Sequence, residues 1–217
     1  MRMIRCASTV LSLCVWFVMT AGIAHAEVST DLRVKLGGSA GIDTVEFENL
    51  ASGDASQDGG GNFQLEAVFS QEQEGPTFVG GVGIFGRTHK GNVPDPFLPT
   101  DVQYDAAGLS GTAGVGVKAN ENLHFEGRAE LDLGRGKPSL STPGAVWNSV
   151  QEGDYVAWDL IVGGYYTVGK PGLQIGLELG VQTFSGEFQI WNNAGFWNDG
   201  KVKGNGGIAN LVVGVRF

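Results

Sequence analysis

Residues 123–134, LHFEGRAELDLG, alternate almost without error. Leu123, Phe125, Ala129, Leu131 and Leu133 hold one parity with Gly127, and His124, Glu126, Arg128, Glu130 and Asp132 hold the other. A period of two predicts a β-strand with one apolar and one polar face. The same alternation recurs seven times. Leu32, Val34, Leu36, Ala40 and Ile42 oppose Asp31, Arg33, Lys35, Ser39 and Asp43, and Phe63, Leu65, Ala67 and Phe69 oppose Asn62, Gln64, Glu66 and Ser70. Residues 77–87 alternate less clearly because of their glycines. Residues 106–118 set Leu109, Val115 and Val117 against Ser110, Thr112 and Lys118. In residues 156–168, Trp158, Leu160, Val162 and Tyr166 oppose Asp159, Tyr165 and Thr167, with Ile161 an exception. Leu173, Ile175, Leu177, Leu179 and Val181 oppose Gln174, Glu178 and Gln182, and the last segment aligns Ala209, Leu211, Val213, Val215 and Phe217. No helical period competes.

Eight such strands, each long enough to cross a bilayer at a tilt, predict a closed barrel, because an open sheet edge in hydrocarbon leaves backbone groups unpaired. The connections alternate in length. Residues 44–60, 89–105, 135–153 and 185–205 read as long loops, and QEGP, ANE and GKP as tight turns between them. The expected architecture is therefore all-β: an eight-stranded antiparallel up-and-down transmembrane β-barrel with short periplasmic turns and long extracellular loops. The apolar parity faces lipid and the polar parity fills the lumen. Outward aromatics then fall near the two rims, with Phe69, Phe78, Phe125, Tyr166 and Phe217 low and Phe63 and Trp158 high, as interfacial belts require.

The first residues change the count. Arg2 and Arg5, an apolar stretch from 10 to 21 and the small-x-small sequence Ala24-His25-Ala26 read as a cleavable secretory signal peptide over 1–26. The barrel domain is then 27–217. Both cysteines, Cys6 and Cys14, fall in the leader, so the mature chain has neither disulfides nor a thiol nucleophile. The 14 basic residues include Arg2 and Arg5, which leaves 12 against 23 acidic residues and a net charge of −11. That acidity argues against nucleic acid as a partner.

Candidate chemistry is sparse. Arg33, Lys35 and Arg128 face Glu66, Glu126, Glu130, Asp159 and Glu178 across the expected lumen, either as a plug of ion pairs or as the lining of a narrow cation pathway. His89 begins a loop, His124 stands in the lumen, and neither has the partners of a triad or a metal site. The acidic tip around Asp54 and Asp58 lacks the ligand spacing of a calcium loop. Trp191, Phe196 and Trp197 form an aromatic patch that either contacts an outside ligand or folds over the barrel mouth.

The cleavable leader, eight amphipathic strands, alternating loop lengths and the terminal NLVVGVRF resemble the small OmpA/OmpX-type outer-membrane proteins of Gram-negative bacteria. The resemblance implies location in the cell outer membrane, contact with its lipid, and assembly by the β-barrel machinery, with Phe217 as the C-terminal assembly signal. It does not imply one activity, since this fold carries adhesins, structural proteins, channels and lipid-modifying enzymes. A barrel-borne lipid A deacylase would show His and Ser two apart facing lipid; here position 126 is Glu and His124 faces inward. The expectation is a non-catalytic barrel without cofactor or metal, with a structural and surface-interaction role through its external loops, which are open to contact with an extracellular ligand. The alternatives are a narrow small-solute or cation channel, a lipid-modifying enzyme and, last, a soluble carrier.

Overall fold

A computed structural model describes residues 27–47, 53–72, 75–94, 100–141, 150–169, 172–191 and 197–217. The expected leader, 1–26, lies outside them. Ten strands form: β1 (Glu27–Ser39), β2 (Thr44–Phe47), β3 (Gly53–Asp54), β4 (Ser56–Glu72), β5 (Thr77–Val93), β6 (Thr100–Lys118), β7 (Leu123–Ser141), β8 (Val150–Val168), β9 (Gly172–Trp191) and β10 (Trp197–Arg216). Eight of them, β1 and β4 to β10, pair antiparallel in chain order, and β1 closes the ring on β10 from Asp31↔Arg216 to Gly38↔Ala209. This is the eight-stranded up-and-down barrel that the alternation predicts. Its tight turns lie at one end, where Gly75 and Gly169 adopt φ of 116° and 79°, a region that favours glycine.

The strands overrun the expected boundaries at the other end. β5 to β10 run 17 to 20 residues, well beyond the roughly 9–11 needed to cross a bilayer. Residues 89–93, 100–105, 135–141, 150–153, 185–191 and 197–205, expected as loop, are strand. Likewise β2, β3 and the start of β4 occupy much of 44–60.

The strands outlast the apolar alternation because their two faces exchange character partway up. On β9 the outward parity runs Leu173, Ile175, Leu177, Leu179, Val181 and then Thr183, Ser185, Glu187, Gln189. The inward parity runs Gln174, Glu178, Gln182 and then Phe184, Phe188, Ile190. β6, β7 and β10 make the same exchange: Asp101, Gln103 and Asp105, Arg135 and Lys137, and Asp199 all point out above the belt. Period two persists throughout; only its polarity inverts.

Below the exchange the barrel is apolar outside, with Leu160, Val162, Leu177 and Leu179 all more than half exposed, and charged inside. Above it the wall is polar outside and encloses a hydrophobic core of Phe85, Val102, Tyr104, Tyr155, Phe184, Phe188, Ile190 and Val202. The lower storey thus suits lipid and the upper storey suits water.

Between β1 and β2 the chain leaves the wall. β2 pairs with β10 from Thr44↔Lys203 to Phe47↔Gly200, continuing the register of β1 without a shift. Residues 40–43 bow inward instead: Ala40 and Ile42 join the upper core, and Ile42 N–H donates to Lys90 O at 2.8 Å. Lys90 is on β5, beyond β4 in the ring, so the segment passes inside the wall. A Cβ at Gly41 would stand 2.9 Å from Gly59 N and 3.0 Å from Lys90 O, so this crossing requires glycine.

Leu177→Arg should impair refolding into lipid vesicles, costing about 2–4 kcal/mol if the site lies at the bilayer midplane. Leu179→Arg should do the same, whereas Glu178→Gln should leave lipid contact unchanged. Tolerance of both arginines in a refolding titration followed by gel mobility would reject the outward parity.

Candidate functional site: the charged lumen

The inward row of β7 is the spine of the lower lumen. Glu126, Glu130 and Asp132 point across the barrel and meet cations from the other strands. From β1, Arg33 bonds Glu126 with both terminal nitrogens, at 2.7 and 2.6 Å, and also reaches Asp31 at 2.6 Å. Lys35, also on β1, lies 3.0 Å from Glu130, 2.9 Å from Glu66 and 3.6 Å from Glu178. From β5, Arg87 lies 2.5 Å from Asp132, 2.6 Å from Asp159 and 3.1 Å from Glu130. The inward row of β7 therefore meets cations from β1 and β5.

Arg128, on the same row, ties three further strands. It pairs with Glu66 of β4 at 3.2 Å and with Glu178 of β9, and it donates to the Tyr165 hydroxyl of β8 at 3.1 Å. Tyr165 in turn donates to Glu178 at 2.6 Å, while Asn210 Nδ2 donates to that carboxylate's other oxygen at 3.2 Å. The Arg33 guanidinium lies 4.2 Å from the centre of the Tyr165 ring, a cation–π contact. At the lower end Arg216 grips both oxygens of Asp31, at 2.7 and 2.9 Å.

All eight lumen residues singled out in the sequence, Arg33, Lys35, Glu66, Glu126, Arg128, Glu130, Asp159 and Glu178, are buried, and the structure brings them into one network. It adds Asp31, Arg87, Asp132, Tyr165 and Arg216. Arg87 was missed because the glycines around it blur the period, although it shares parity with Phe85 and His89.

His89 requires correction. It is not at the start of a loop but inside the barrel on β5, fully buried. Its Nδ1 donates to Ala40 O at 2.7 Å, leaving Nε2 to accept from the Tyr155 hydroxyl at 2.8 Å. Phe184 stacks on its face with ring centres 3.7 Å apart. His124 stacks on Tyr165 and lies 3.3 Å from Glu126. The polar partners of the two histidines are thus a backbone carbonyl, a tyrosine hydroxyl, the Glu126 carboxylate and the Arg216 guanidinium.

The aromatic patch is also placed differently. Trp191 and Trp197 are the last residue of β9 and the first of β10, directly paired, with their rings edge to face at 5.2 Å. They form a strand-end pair on the outer surface rather than part of a free loop. Phe196 lies outside the described residues. Phe217 projects from the lower rim, 70% exposed, with its N–H on Thr30 O at 2.9 Å.

No family model matches the chain, and no curated protein matches it. Solved structures do. The attachment invasion locus protein Ail of Yersinia pestis, in complex with the heparin analogue sucrose octasulfate, is 15% identical with a TM-score of 0.41, over 89% of this chain and 100% of that one. The outer membrane protein OprG of Pseudomonas aeruginosa is 10% identical with a TM-score of 0.49, over 88% and 96%. Neisserial surface protein A is 14% identical with a TM-score of 0.29, over 84% and 94%. These neighbours are small Gram-negative outer-membrane β-barrel proteins.

Arg128→Ala removes one of the two cations, Arg128 and Lys35, that Glu66 and Glu178 share. Removing one partner of a buried pair costs about 3–5 kcal/mol, so the variant should lose its unheated gel mobility at clearly lower urea than wild type. An unchanged midpoint would mean that the lumen is hydrated enough to screen the charges.

Proposed function

We propose that this protein is a non-catalytic, closed barrel of the outer membrane whose polar upper storey serves as a surface structure for contacts outside the cell. The observation that carries the reading is the filling of the interior along both storeys. Arg33 and Lys35 are 0% exposed in the lower lumen, and the inward bow at Ala40–Ile42 packs against the core of the upper one. A channel needs a hydrated path, and this interior spends its width on ion pairs and aromatic rings.

The sequence pattern of residues 1–26, which reads as an export leader cleaved after Ala26, supports placement in the outer membrane, as does the apolar outward belt. Phe217 fits the terminal aromatic that the assembly machinery reads: its side chain is free at the lower rim while its backbone is fixed to β1. The outward Trp191–Trp197 pair supplies an apolar contact point at the far end, above a polar wall carrying Glu187, Gln189, Asp199 and Lys201. The extracellular ligand is then one that meets an aromatic pair set in mixed charge.

Purified barrel in a planar bilayer should stay closed at the baseline; steady unitary conductance from wild type would replace this reading with the channel. Deleting Phe217 should lower the amount of folded barrel in cell membranes while leaving refolding in detergent close to wild type. Equal loss in both would make Phe217 a stability element instead of a signal.

A further inference from the structure

β1 stops at Ser39 and β2 begins at Thr44, yet both pair with β10 in one register. Gly38 faces Ala209 and Thr44 faces Lys203, so residues 39–43 span residues 204–208 with none gained or lost. A β-bulge would have broken that count. One continuous strand would therefore set Ala40 against Gly207 and Ile42 against Asn205.

The inward bow gives both sides of this missing ladder substitute partners. Ala40 N–H donates to Gln182 Oε1 at 3.3 Å, and Ala40 O accepts from His89 Nδ1 at 2.7 Å. Ile42 N–H donates to Lys90 O at 2.8 Å. On β10, Asn205 N–H donates to the Asp43 carboxylate at 2.6 Å, and Asn205 O accepts from Gln57 Nε2 at 2.6 Å. The inner face of β10 is bare where the segment lies, since a Cβ at Gly204 would collide with Gly41 O.

The side chains suit either position. Leu32 and Leu36 on β1 point outward and Val45 on β2 is buried inward, so even-numbered residues of this strand face out. Within the wall, Ala40 would stand in the row of Val181 and Leu160, and Ile42 in the row of Trp158. Those rows are the upper part of the apolar belt. In the bow the same two side chains join the upper core. Asp43 separates the two states. The wall would turn its carboxylate away from Asn205 and toward the aromatic core, a cost that keeps the bow as the major state.

We propose that residues 40–43 are a two-position strap that leaves the lumen and enters the wall between β4 and β10, with the register on either side unchanged. Its departure opens a cup in the upper storey beside His89 and Gln182, the groups that hold Ala40. The ion pairs of Arg33, Lys35 and Arg128 lie below and stay in place, so the cup is blind. Two packings of one segment, each with its polar groups partnered, make a bistable element. The inference adds a motion to the closed barrel and is independent of what the outer wall contacts.

Thiol reactivity decides it. Residues 27–217 hold no cysteine, so each single-cysteine variant refolded in detergent reports one position. Ala40 and Val202 are both buried, at 2% and 0% exposure, and only Ala40 is on the strap. Folded protein is counted by unheated gel mobility. Toward N-ethylmaleimide, folded Ala40→Cys should react about tenfold faster than folded Val202→Cys, because strap exchange needs no wider unfolding. Adding Gly41→Ala, which is obstructed in the bow by Gly59 N and Lys90 O, should raise the Ala40→Cys rate further. Should that double variant not fold, Gln57→Leu removes the amide that holds Asn205 O and should raise it as well. Neither substitution should change the rate of Val202→Cys. Equal rates for the two cysteine variants, or an Ala40→Cys rate that neither addition raises, overturn the proposal and make the bow a fixed plug. A parallel rise in Val202→Cys also overturns it, because the whole upper storey is then loosening. A fixed bow would leave the proposed function standing.

Discussion

A sheet closed on itself in lipid has one place for its polar face, and that place is too narrow for water to solvate it freely. Every charge turned inward must find its partner on another strand. The network around Arg128 is the outcome: one guanidinium on β7 joins Glu66, Glu178 and Tyr165 on β4, β9 and β8. Lys35 and Arg33 bring in β1 from across the lumen. Hydrogen bonds between neighbouring strands close the ring; these pairs brace it across its diameter. Because a buried ion without its partner costs far more than a pair contributes, the network specifies the register of the barrel as much as it stabilises it.

The upper storey solves the opposite problem with the same strands. Beyond the apolar belt the outer wall meets water, so carboxylates, lysines and amides turn outward and the rings of Tyr104, Tyr155, Phe184 and Phe188 turn in. The small-residue stretch after β1 then lets the chain bow into the lumen, where His89 and Gln182 take the freed backbone groups of Ala40. A polar backbone can enter an apolar core only when each group finds a partner. Among the described residues, ion pairs fill the lower storey and aromatic rings the upper one.

The alternation along the chain determined the lower storey by itself. Period two, with one apolar face, fixes which side chains meet lipid, and eight repeats with short turns at one end fix the ring. Arg33, Lys35, Glu66 and the β7 row were legible because each stands between apolar neighbours. The upper storey carries the same period, but with its polarity inverted, so a reading tuned to an apolar outer face took those strands for loops. The signal was present in QTFSGEFQIW, where Phe184, Phe188 and Ile190 hold the parity that Gln182 holds below them.

Only the tertiary structure decided which charges meet. Sequence spacing shows that Arg128 lies between Glu126 and Glu130, but strand tilt and the diameter of the ring carry it to Glu66 and Glu178. The same geometry brings Arg87 to Asp132 and Asp159, and it takes His89 from an expected loop into the buried interior. Face is a local property, set by the two-residue repeat of an extended chain. Partnership across a barrel is not local, since it depends on the shear between strands far apart in the chain, and no repeat along one strand records that.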